Sequence, residues 1–134
     1  MVVLDSSFLI AYHNPRDAHH AAAARAMVQF LHGTWGEGLL PEYVFLEVVT
    51  VLRVRAGAEH AVVAGSALLA ARELRFMPGA DVFIEAWTLF QQARAELSFA
   101  DAAIATLALR HAEGRVLTFD RDFQQVDGVT VLPA

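Results

Sequence analysis

Short apolar segments alternate along this chain with longer stretches of helical spacing, and that alternation limits the possible folds more than any other feature. Residues 2–4 (Val-Val-Leu) read as a buried strand ending at Asp5. Ser6 is placed to cap a helix over 7–12, which Asn14-Pro15 breaks. A second helix is expected over 17–32, then a loop over 36–38 and a short strand at 39–40. Pro41 suits the first turn of a third helix that runs to 56 and stops at Gly57. Further helices are expected over 59–72, 81–96 and 100–112, with strands at 75–77, 116–119 and 129–131. Short apolar strands separated by helices imply a parallel sheet covered on both faces, because the crossover helices must lie over it. Ligands of such folds bind beyond the carboxyl ends of the strands, where the chain order reverses.

The 134 residues suit one domain, 1–134, and 56% apolar content against 19% charged supports a sizeable core. The absence of cysteine excludes disulfide scaffolds, cysteine zinc sites, iron–sulfur clusters and thiol nucleophiles. All ten basic residues are arginines, so lysine Schiff bases and phosphate-binding loops that need lysine are also excluded. A formal charge of −5 rules out a strongly basic nucleic-acid coat. No apolar run approaches the roughly 20 residues of a membrane span, and the opening segment lacks the basic residues of a signal peptide. A cytoplasmic protein is expected.

Four carboxylates stand out. Asp5 and Asp120 each end a predicted strand and are placed to share one crevice. Each also has a local reading: Asp5 as the cap of the next helix, Asp120 as the start of a turn with Arg121 and Asp122. Glu47 lies within Val44-Phe45-Leu46-Glu47-Val48-Val49, a face so apolar that an ionised side chain there either has a partner or sits at an edge and reaches out to water. Asp101 completes a possible capping box with Ser98, yet it shares a face with Ile104, Ala105 and Ala108 that looks towards the core. Four such groups in one pocket need a counter-charge, and a hard divalent cation is the economical one. Mg²⁺ or Mn²⁺ in an all-oxygen site suits metal-assisted hydrolysis of a phosphodiester.

The segments VVLDSSFLIAY, PEYVFLEVVTVL, LSFADAAIATLALRH and VLTFDRDF, with Asp5, Glu47, Asp101 and Asp120 in that order, resemble the PIN-domain ribonucleases, specifically the VapC-like toxins of bacterial toxin–antitoxin pairs. The resemblance spans nearly the whole chain. It implies a three-layer α/β/α fold around a central parallel sheet of about five strands. It implies Mg²⁺- or Mn²⁺-dependent endoribonuclease activity, with Asp5 and Asp101 holding metal most directly. Glu47 and Asp120 then complete the metal environment and position the attacking water, with Asp122 as an additional, more variable position. Ser6 and Thr118 match small hydroxyl residues beside the site. The oxygens of the four carboxylates are expected to meet within a few ångströms and hold the ion jointly.

The resemblance also implies partners. A cognate antitoxin protein would silence the chain by wrapping apolar helical surfaces, for which Phe30, Leu31, Trp35, Tyr43 and Phe45 are available. A homodimer through the helices is usual in the family. The acidic balance favours a structured RNA such as a transfer-RNA loop, with Arg16, Arg53, Arg55 and Arg121 available to flanking phosphates. The non-enzymatic alternative is a catalytically inert PIN-fold module for protein or RNA interaction. A response-regulator reading fails for want of lysine, a dehalogenase-type phosphatase for want of a second aspartate after Asp5-Ser6, and a dinucleotide site for want of GxGxxG. A histidine metal site built from His13, His19 and His20 is disfavoured because neighbouring helical residues point about 100° apart.

Overall fold

A computed structural model describes residues 1–93 and 96–133. Its centre is a five-stranded, all-parallel sheet with strand order β3-β2-β1-β4-β5. The strands are β1 (Val2–Leu4), β2 (Gly38–Pro41), β3 (Leu74–Met77), β4 (Arg115–Leu117) and β5 (Thr130–Leu132). The helices are α1 (Ser6–His13), α2 (His20–Leu31), α3 (Glu42–Ala56), α4 (Ala58–Ala70), α5 (Phe83–Gln92) and α6 (Phe99–His111). The chain steps outward from β1 to β2 and β3, then returns across β1 to β4 and β5. Right-handed crossovers therefore lay α1–α4 over one face and α5–α6 over the other, which gives the expected three layers.

The core lies where those layers meet. Val2, Val3, Leu4, Val116 and Leu117 are fully buried in the central strands. Phe8 and Leu9 of α1 seal one face, and α6 supplies the unbroken buried run Ala102–Ala108. Small alanines let α6 approach the sheet closely, and this fixes the height of its first turn above the strand ends.

Several boundaries differ from the sequence expectation, each for a local reason. Helix α1 begins at Ser6 with Asp5 in the cap position, so Ser6 is the first helical residue and not the cap. Helix α2 starts only at His20 because Asn14 and Asp17 turn the chain first, accepting bonds from the Arg16 and His19 amides. Pro41 closes β2 and caps α3, where its missing N–H costs nothing. Residues Gly79–Val82 form a 3-10 turn, so α5 begins at Phe83. The expected helix over 81–96 stops at Gln92, and its positions 94 and 95 lie outside the described residues. Strand β4 ends at Leu117, which leaves Thr118 and Phe119 beyond the ladder.

The apolar residues expected to meet a partner are mostly occupied within the fold. Phe30 is buried, and Trp35, Tyr43 and Phe45 pack partly against the core, so only Leu31 of the five is exposed. The exposed apolar surface lies elsewhere: Leu46 and Val54 on α3, Val62, Val63 and Leu69 on α4, and Phe83, Ile84, Trp87 and Phe90 on α5. Among the described residues, no helix is long and apolar enough to cross a membrane.

Candidate active site

The chain order reverses between β1 and β4, and the amide of Asp5 ties the two strand ends by donating to the Leu117 carbonyl at 3.0 Å. A cavity of about 350 Å³ opens immediately beyond them. Asp5, Glu47, Asp101 and Asp120 all line it, so one β-strand end, two helices and one post-strand turn deliver the four expected carboxylates to a single place.

Asp5 is the anchor, with only 3% of its surface exposed. Its side chain does not cap α1. Instead Oδ2 accepts hydrogen bonds from Ser7 Oγ at 2.9 Å and Thr118 Oγ1 at 2.7 Å. The two hydroxyls lie 3.0 Å from each other, but each has one proton, and both protons are used on Asp5. Their remaining lone pairs accept backbone amides, Phe119 N–H on Ser7 at 3.0 Å and Asp120 N–H on Thr118 at 2.9 Å. Burial pushes the Asp5 carboxyl above its ordinary range, and the Thr118 and Ser7 bonds pull it partly back. Ser6 also lines the cavity, but its contact with Asp5 is a long 3.5 Å.

Asp101 sits in the first turn of α6. Ser98 caps that turn, accepting the Asp101 amide at 3.0 Å, so the capping reading and the inward-facing reading hold together. Phe99 pins the same turn through ring contacts with Tyr43, Phe83, Trp87 and Phe90. The Asp101 carboxyl is half-buried and pushed up to about 6, first by loss of water and then by the charges of Asp5 and Asp120. That mutual effect is the electrostatic signature of a shared site.

Asp120 caps the 3-10 turn Arg121–Gln125 by accepting the Asp122 amide at 2.9 Å. Asp122 thereby orients Asp120 through its backbone and does not line the cavity. Glu47 takes the edge position, the second of its two sequence readings. It is exposed at the cavity rim, because Leu46 and Val54 of the same helix face solvent and the apolar stretch is not all core. Among the four arginines considered, Arg55 lines the cavity while Arg16, Arg53 and Arg121 do not. Ser7 and Asp17, read from sequence only as helix starts, and His19, weighed there only within a histidine metal set, also line it. Ser7 had a signal, since it stands two residues after Asp5 within the first helical turn, whereas Asp17 and His19 arrive by a loop path that no periodicity encodes. Of the histidines, His20 Nδ1 bonds the Ala11 carbonyl, His60 Nε2 bonds the His13 carbonyl, and His19 stacks on Phe119.

The four carboxylates share a cavity, but the expected meeting of their oxygens within a few ångströms around one ion is not seen. Among the described residues, no three acidic or imidazole side chains converge tightly enough to hold an ion between them. Like charges spread apart, and Glu47 stands at the rim. The donor set nonetheless fits a hard cation: every donor is oxygen, the charges at Asp5, Asp101 and Asp120 are mutually unfavourable without a counter-charge, and the cavity has room for water. Mg²⁺-type ions commonly take one or two carboxylates and keep several waters.

The PIN domain family matches residues 2–129, nearly the entire chain. This chain belongs to the PIN-domain family. Among solved structures, this PIN domain is similar to VapC20 of Mycobacterium tuberculosis, a toxin that cleaves the sarcin–ricin loop, with 26% identity and a TM-score of 0.85 over 96% of this chain and 97% of that one. The fold is shared with a toxin–antitoxin complex from Klebsiella pneumoniae (19% identity, TM-score 0.67, 97% and 96% covered). It is shared also with VapBC2 of Rickettsia felis bound to a promoter DNA fragment (14% identity, TM-score 0.67, 98% and 97% covered). No curated protein matches this PIN domain in sequence. The VapC likeness foreseen from the four acidic segments is thus a likeness of the whole fold.

Proposed function

We propose that this PIN domain is a metal-dependent endoribonuclease toxin of the VapC kind, held silent by a cognate antitoxin. The observation that carries the reading is the Asp101 carboxyl, raised to about 6 partly by Asp5 and Asp120 in a cavity that Glu47 also lines. Asp5 and Asp101 would hold Mg²⁺ or Mn²⁺ most directly, with Asp120 and Glu47 reaching it directly or through water. When bound, such an ion supplies a more acidic water and a counter-charge for the phosphate. Ser7 and Thr118 fix Asp5 in one orientation. Glu47, at the solvent-facing rim, is available to orient the attacking water and accept its proton. Arg55 offers a fork for the phosphate next to the scissile one. Attack by water leaves 5′-phosphate and 3′-hydroxyl ends and requires no 2′-hydroxyl.

A structured RNA is the favoured target, a transfer-RNA loop or, by likeness to VapC20, a sarcin–ricin loop. The antitoxin's footing in this reading is the apolar groove of about 480 Å³ between α3 and α4, lined by Phe45, Val49, Val62 and Leu69. A homodimer would use the exposed α5 face. A cytoplasmic location accompanies the reading. Incubation with total RNA and with loop oligonucleotides, followed by mapping of the ends, tests it. Cleavage with Mn²⁺ or Mg²⁺ that chelator and Asp5→Asn both abolish is expected; chelator-resistant cleavage removes the metal. An intact Mn²⁺ thermal shift that Asp5→Asn erases separates this reading from an inert interaction module.

A further inference from the structure

The cavity lining carries one aromatic ring, and it is held in an unusual way. His19 is exposed, yet its imidazole lies flat on Phe119, with centroids 4.6 Å apart and planes 9° from parallel. Phe119 in turn leans on the fully buried Phe8 at 6.1 Å, so a ladder of three rings runs from the core to the rim. The backbone is fixed on both sides. The His19 amide donates to Asp17 Oδ1 at 2.8 Å, and the Phe119 amide donates to Ser7 Oγ, the hydroxyl that also binds Asp5. Among the described residues, neither ring nitrogen of His19 has a hydrogen-bond partner, so no internal polar contact accounts for the ring's placement. Phe119 covers one face of the imidazole, and His19 lines the carboxylate cavity.

We propose that His19, backed by Phe119, is a stacking shelf for the nucleobase beside the scissile phosphate. The inference rests on the nuclease reading and adds to it a substrate-positioning group. The carboxylates and hydroxyls of the cavity suit phosphate, ion and water, and leave a base unmatched except at this ring. A base offers a π-face whatever its identity, and single-stranded segments can splay one onto an aromatic side chain. A rigid ring costs little entropy to use, and the Phe8–Phe119 ladder makes this one rigid at the solvent boundary. Asp17, Glu47, Asp101 and Asp120 line the same opening.

Two measurements test it. The first is steady-state cleavage, by the full chain with Mn²⁺, of a loop oligoribonucleotide of the kind used to test the nuclease reading. His19→Ala should raise KM on the order of tenfold, the loss of one stacked base, with kcat within about twofold. His19→Phe should restore KM, because the surface and not the titration is used. An unchanged KM in His19→Ala, or no rescue by His19→Phe, overturns the shelf while cleavage itself keeps the nuclease reading. The second places 2-aminopurine next to the scissile phosphate and reads its fluorescence on binding to Asp5→Asn. Quenching that disappears in Asp5→Asn/His19→Ala, with the abasic oligonucleotide bound more weakly, supports the shelf. Equal quenching in both, equal binding of the abasic strand or no binding at all overturns it. Failure of the reading is seen separately, as no metal-dependent cleavage by the wild type.

Discussion

The hydroxyl of Thr118 donates a 2.7 Å hydrogen bond to Asp5 Oδ2, joining residues 113 positions apart in the chain. Thr118 Oγ1 in turn accepts the Asp120 amide, so one buried side chain aligns two carboxylates from two strand ends. Thr118→Val keeps the shape and removes both bonds. It should destabilise the fold by about 1–3 kcal/mol, the cost of leaving buried polar groups unmatched. Thr118→Ser should recover most of the loss. Urea unfolding of the three proteins checks the order.

Asp101 should be a residue whose removal stabilises the metal-free fold. Its carboxyl is raised to about 6 by burial and by Asp5 and Asp120. Asp101→Asn removes a charge from that field and should gain on the order of 1 kcal/mol at pH 7.5, a figure already discounted for the side chain's partial exposure. Thermal unfolding in chelator should show a higher midpoint, together with loss of activity.

The pH dependence has a defined sign. The unfolded chain releases the Asp101 proton near 3.8, while the folded chain keeps it to about 6. Between those values the native state holds more protons, so this group's contribution to stability falls as pH rises and levels off above 6. The Asp101→Asn curve should be flatter over that window. Conversely, the thermal shift produced by Mn²⁺ should grow from pH 5 to pH 7, because protons and metal compete for the same oxygens. A shift that shrinks over this range would contradict the assignment.

Two glycines with the same backbone sign should differ sharply. A Cβ on Gly114, at φ +80°, would stand 1.9 Å from the Gly128 carbonyl oxygen. That contact lies where β4 and β5 are joined by the Thr130 amide bonding the Gly114 carbonyl. Gly114→Ala should cost more than about 3 kcal/mol or prevent folding. Gly33, at φ +83°, has nothing within 4 Å of its Cβ position. Gly33→Ala should cost only about 1 kcal/mol, the backbone penalty alone. Denaturant midpoints of the two variants separate steric collision from conformational preference.

Much of this arrangement is legible in the residues. Val2-Val3-Leu4 before Asp5 and Val116-Leu117 before Thr118 announce buried strands, and parallel pairing brings their ends together. Asp101 is legible through its helical neighbours, since Ala105 and Ala108 are fully buried. For Glu47 the sequence left two readings open for a physical reason: an apolar helix face marks burial against something, yet on α3 Leu46 and Val54 are exposed. His19 escapes the periodicity because the Asn14 and Asp17 turns, each made by a side chain, carry it to the site before α2 begins.

The placement of β1 in the middle of the sheet has a consequence for biosynthesis. Strand β1 is made before either neighbour, β2 or β4, and Asp101 and Asp120 leave the ribosome after most of the chain is complete. Asp5 therefore spends most of translation without Asp101 and Asp120, the two carboxylates whose charges it meets in the folded chain. On the proposed reading, a nascent fragment that lacks Asp101 and Asp120 is expected to cleave no RNA.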